Sequence, residues 1–152
     1  MSLQLRTWYA LAPIALLGCA TAYRNEAGSS ITGGGFREEG PGKLVKVGFS
    51  GNSFIDGRTT DQYALFRAAE YAQASGKPYF VVYKSMRDAA KDRRASEANV
   101  GFVGGKPQAF VWVRLLDEDA SQAMETAAVL KRRDEVLAAG TSTPDAKDEV
   151  TR

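Results

Sequence analysis

One cysteine, Cys19, and no histidine occur in 152 residues. A single thiol rules out an internal disulfide, and neither a Cys-rich nor a His-liganded metal site can be built. Whatever folds must therefore be held by the packing of its own core. The missing imidazole also removes Ser-His-Asp triads and imidazole proton shuttles. With 44% hydrophobic and 25% charged residues the chain belongs among globular sequences, sized for one domain with extensions. Basic residues number 20 and acidic 18; residues 1–18 contain only Arg6 among them, so the remainder carries 19 against 18. Such a balance provides no field to draw the protein onto nucleic acid, which is not an expected partner.

Residues 1–18 read MSLQLRTWYALAPIALLG, with ten apolar positions from Trp8 to Leu17 broken only by Pro13. A spanning helix needs about 20 such residues, so this stretch matches the apolar region of an export signal. Leu16-Leu17-Gly18-Cys19 resembles the lipobox of bacterial lipoproteins, Leu17 being the less usual choice at its position. The resemblance implies a signal peptide over 1–18, a diacylglycerol on the Cys19 thiol and an acyl chain such as palmitate on its new amine. Several chains, at about 0.8 kcal/mol per buried methylene, exceed what stable anchoring requires. Ala20 stands where, in that class, an aspartate would signal inner-membrane retention, which implies the periplasmic face of the outer membrane. Two other readings stay open. Ala20-Thr21-Ala22 also fits an A-x-A cleavage site that would release a protein starting at Tyr23, and Cys19 could be a small apolar residue in an uncleaved helix.

The small and polar composition over 19–35, ending in Gly33-Gly34-Gly35, is expected to be a flexible tether. No lysine and hydroxyl follow these glycines as in a phosphate-binding loop. A folded domain is expected over 36–140 and a disordered polar tail over 141–152. Lys43 to Phe49 alternates as a half-buried strand. Thr59-Thr60-Asp61-Gln62 suggests a capped helix start, with Leu65, Ala68, Ala69 and Ala72 as its inner stripe and Gly76 closing it. Tyr79–Tyr83 and Gln108–Leu115 read as two further strands, the first reached by a parallel crossover. Residues 84–107 show no clear period and read as a long connection. Asp117 or Asp119 would cap a second helix with Ala120, Ala123, Met124, Ala127, Ala128 and Leu130 on its apolar face, ending at Gly140. The expected class is α+β, a sheet of about three strands with two helices in β-α-β-β-α order.

Gly34-Gly35-Phe36-x-Glu38, Val47-x-Phe49-x-Gly51-Asn52 and Leu65-Phe66-Arg67-Ala68-Ala69-Glu70 together resemble an uncharacterised family of short Gram-negative lipoproteins. The likeness covers roughly 19–83, with Phe66 where a tyrosine is usual. It implies location and fold, with no established activity.

Three groups of residues could carry a site. Asn52, Ser53 and Asp56 lie in the strand–helix loop, where they could bind a polar ligand or simply form the turn. Arg67 and Glu70 have the spacing of a helical side-chain pair, and Arg67 could alternatively reach the Gly35-Phe36 turn. Lys84, Arg87, Lys91, Arg93 and Arg94 outnumber Asp88 and Asp92 by three, either a solvated surface or a contact for anionic lipid, lipopolysaccharide or an acidic partner. Tyr79, Phe80, Tyr83, Phe110 and Trp112 could stack a sugar, although their alternation favours core packing. No paired-carboxylate motif, metal set or cofactor motif is visible, so no enzyme is expected. The function expected is an envelope interaction or structural module binding an envelope protein, lipopolysaccharide or peptidoglycan; the alternative is a small-ligand or glycan-binding domain.

Overall fold

The computed structural model describes Tyr23 and residues 34–140. The elements are β1 (Gly34–Glu39), β2 (Val45–Ser50), α1 (Gly57–Ala74), β3 (Tyr79–Tyr83), α2 (Met86–Ala90), β4 (Asn99–Val103), β5 (Lys106–Leu116), β6 (Met124–Glu125) and α3 (Thr126–Gly140). All six strands form one antiparallel-paired sheet, five in the order β1-β2-β5-β3-β6 and β4 paired with β5 off that path. β5 is the organising strand. β2 lies along one edge of it, while β3 and β4 lie end to end along the other, pairing residues 112–116 and 106–110.

The class is α+β, but the expected three strands, two helices and β-α-β-β-α order are wrong. β1 was hidden because it is an edge strand whose outer half, Arg37-Glu38-Glu39, is exposed and charged. β4 is exposed throughout and owes its existence to its hairpin with β5, closed by Gly104 and Gly105 at φ 57° and 74°. α2 and the two-residue β6 are too short to show a period. β2 and β3 do run parallel, yet β5 is inserted between them, antiparallel to both, so the crossover is a split one.

The helix ends also move. The cap of α1 lies three residues before the expected Thr59: the Asp56 carboxylate accepts the Thr59 amide at 2.6 Å, leaving Thr60 buried and bonded to the Asp56 carbonyl at 2.8 Å. At the other end Gly76, at φ 65°, donates to the Gln73 carbonyl and Lys77 to that of Ala72, the paired bonds of a Schellman motif. The second long helix does not start at Asp117 or Asp119. β5 runs on to Leu116, and the chain turns through Gln122 at φ 57° to pair Met124–Glu125 with β3. α3 starts only there, where the Thr126 amide and hydroxyl bond to the carbonyls of Pro78 and Lys77, both at 2.8 Å. Ala127 and Ala128, expected inside, are exposed; Leu130 is buried.

Alternation along the strands separates two faces. Val45, Val47, Phe49, Ala109, Val111, Val113, Phe80 and Val82 point to the helices and are buried. Ala64, Ala68, Ala69 and Ala72 of α1 meet them, and the small side chains let helix and sheet approach closely. Leu65 is half-buried beside this stripe, and Leu130 of α3 closes the core. The opposite face carries Phe36, Lys46, Phe110, Trp112, Arg114 and the wholly buried Tyr83 and Val81.

Candidate functional site

The loop between β2 and α1 brings Asn52, Ser53 and Asp56 together as turn formers. Asn52 Oδ1 accepts the Phe54 amide at 3.0 Å, Ser53 is exposed at the tip, and Asp56 caps α1. Bonds from the Thr59 amide and hydroxyl hold the Asp56 carboxyl below its usual range.

The basic stretch divides. Ser85 caps α2, accepting the Asp88 amide at 3.1 Å and donating to the Asp88 carboxylate at 2.6 Å. Lys84 pairs with Glu97 at 3.2 Å. Arg94 reaches Asp92 at 3.0 Å and the Ser121 carbonyl. Arg87, Lys91 and Arg93 are exposed and have no ion pair among the described residues. The centre of the region is Asp92, at φ 48°, a residue that charge counting treats only as a neutralising partner. It accepts the Tyr83 hydroxyl at 2.6 Å and Arg114 at 2.7 Å, besides Arg94. Arg94 and then Tyr83 bond its carboxylate and hold it down to about 2, while burial and Asp92 push the Tyr83 phenol up to about 12. Arg114 also lies 5.4 Å from the centre of the Tyr83 ring. The Ala95 amide bonds to the Val82 carbonyl at 2.9 Å, so residues 91–95 form an arch over the free edge of β3.

A second cluster links the helices. Glu70 receives Arg67 from its own helix and Arg133 from α3 at 2.9 Å, and Arg133 also contacts Asp134 at 2.8 Å. The side chains of Arg67 and Glu70 are only 14% and 13% exposed. The pair is thus real, but its use is to join α1 to α3. Tyr23 packs beside it, its ring 4.9 Å from that of Tyr63 and 6.0 Å from those of Phe49 and Phe66. Burial, with the Glu70 carboxylate adding to it, pushes the Tyr23 phenol well up and keeps it neutral. Among the described residues the Tyr23 hydroxyl and Arg67 Nε are buried without a hydrogen-bond partner. Asp61, also missed from sequence, accepts the Ala98 amide at 2.5 Å and ties α1 to the approach of β4; burial raises its carboxyl.

On the helix-free face, Lys46 lies 4.8 Å from the Phe110 ring centre and 5.6 Å from that of Phe36, and bonds Glu38 at 3.1 Å. Phe36, Phe110 and Trp112 are half-buried there, whereas Tyr83 lies under the arch and Phe80 in the core. Leu16, Leu17, Gly18 and Cys19 lie outside the described residues. Among the described residues no helix is long and apolar enough to cross a membrane, and no group of three or more acidic side chains is placed to hold a metal ion.

Compared with protein-family models, curated proteins and solved structures, the chain matches none.

Proposed function

We propose that this chain is a lipoprotein of the outer membrane, facing the periplasm, whose domain is a non-catalytic envelope interaction or structural module. The observation that carries this is Leu16-Leu17-Gly18-Cys19 at the end of a ten-residue apolar stretch, the sequence a lipid-transferring and signal-cleaving machinery would act on. The domain's charge clusters support a structural role: Arg67, Glu70 and Arg133 join helices, and Asp92 holds the arch over Tyr83. Its partners are the membrane, through lipid on Cys19, and an envelope protein, lipopolysaccharide or peptidoglycan. Intact mass spectrometry of the membrane-extracted protein tests the anchor, and in-cell crosslinking tests the partner. An unmodified N-terminus at Tyr23 would contradict the anchor. Binding of a small ligand or glycan is a second reading, favoured by the half-buried Phe36, Phe110 and Trp112 on the helix-free face. A thermal shift with peptidoglycan fragments tests it.

A further inference from the structure

Large apolar side chains are left in water at one end of the domain. Phe54 and Phe102 are each 67% exposed, Val103 63% and Val100 38%. Val100 and Phe102 share the hairpin face toward the Phe54 loop, and Val103 ends β4 at the hairpin tip on the other face. The Gly51 amide donates to the Pro107 carbonyl at 2.8 Å, and Pro107 pairs with Phe102 in the β4–β5 hairpin. At the other end of the Phe54 loop, a Cβ on Gly57 would sit 3.4 Å from Val100 and 3.6 Å from Phe102. Both ends of the loop therefore rest against the hairpin.

The described residues that follow Cys19 most closely in sequence lie at the same end. β1 starts there, since Gly34 pairs with Ser50 at the end of β2. Tyr23 docks on Phe49 and Tyr63. Phe49, Ala109 and Val100 lie in one row across β2, β5 and β4, so Val100 is about 10 Å from Phe49 at ~4.8 Å per strand. Cys19 precedes Tyr23 by four residues, a reach of at most about 14 Å. Lipid on Cys19 can therefore reach the apolar end. Arg58, exposed in the first turn of α1, and Lys106, paired with Val103, flank it with the charge that suits anionic headgroups. Asp56, two residues before Arg58, is engaged in capping α1.

We propose that Phe54, Val100, Phe102 and Val103 form a second membrane contact, dipping into the lipid interface while the docked Tyr23 keeps the domain close to it. This rests on the lipid anchor proposed above. The four side chains expose on the order of 400 Å², half of the ~800 Å² per partner in a standard protein interface, which favours a lipid surface over a second copy.

The test uses the acylated protein in phosphatidylcholine–phosphatidylglycerol vesicles, with Phe54→Trp or Phe102→Trp, and brominated lipid as a contact quencher. Trp112 on the helix-free face is the internal reference. In parallel, the full chain with Cys19→Ser and a histidine tag in place of residues 1–18 is held on a nickel-chelating lipid. The introduced indoles should blue-shift and lose most of their emission to brominated lipid, with Trp112 unaffected, on both kinds of vesicle. Tyr23→Ala should reduce that loss. Acylated protein whose introduced indoles are quenched no more than Trp112 overturns the contact while leaving the anchor intact. Quenching of the tag-held protein alone, with no acyl mass on the wild type, keeps the contact and removes the anchor. A soluble dimer that Phe102→Asp dissociates overturns the proposal in favour of self-association.

Discussion

Glu70→Ala tests whether the joint between α1 and α3 is a buried interaction or a screened surface pair. Glu70 is 13% exposed and accepts from two guanidinium groups, Arg67 at 14% and Arg133 at 22% exposure. Two charge-assisted hydrogen bonds at roughly 1.5–3 kcal/mol each bound the loss at roughly 3–6 kcal/mol. Arg133 keeps Asp134, so its loss is the smaller, whereas Arg67 is left buried with no carboxylate and an Nε already without a partner. The expected cost is about 3 kcal/mol, in the range of other broken buried pairs. With a urea slope of about 1.5 kcal/mol/M, the unfolding midpoint should fall by about 2 M. Replacing the whole set, Arg67→Met with Glu70→Leu and Arg133→Met, should cost less than Glu70→Ala alone, because no charge is then stranded. Equilibrium urea denaturation followed by tyrosine and tryptophan fluorescence measures both. A loss under about 0.5 kcal/mol for Glu70→Ala would mean that solvent screens the pair, and the account of the helix joint would be wrong.

Cys19→Ser should abolish acylation and leave precursor, or a soluble form cut near Ala22, by intact mass. The Asp92 carboxyl is held down to about 2, so its contribution is complete above the ordinary aspartate value of ~3.9 and is lost as pH falls through about 2. Carbon NMR should find it ionised at pH 3, with the arch over Tyr83 loosening only below that; titration at the ordinary value would contradict its bonding. Gly48→Ala would place a Cβ 2.3 Å from the Ala109 carbonyl oxygen and 2.6 Å from the Phe36 ring, and should cost roughly 1–3 kcal/mol in thermal or chemical unfolding.

Where a side chain's fate depends on its neighbours in sequence, the sequence was legible. Tyr79–Tyr83 is the strand the pattern marks out, and the alternation from Gln108 to Leu115 yields a strand longer by three residues. The alanine stripe of α1 and the closure at Gly76 follow from helical period and from the left-handed φ that glycine tolerates. The Arg67–Glu70 pair follows from its spacing of three. Other features depend on residues far apart in the chain. β1 and β4 have too little buried surface to carry a pattern, and exist because β2 and β5 supply their hydrogen bonds. The displaced start of α3 is set by pairing with β3, not by the nearest acidic cap. Asp92 reads as one charge in a basic run until Tyr83, Arg94 and Arg114 meet on it, the last 22 residues away. Tyr23 reads as part of a tether until Phe49, Tyr63 and Phe66 surround its ring. The lipobox-like run before Cys19 is read in the opposite way, since a processing enzyme recognises extended sequence rather than a fold. Local propensity and periodicity are properties of a segment, but burial and ion pairing are properties of what the rest of the chain brings against it.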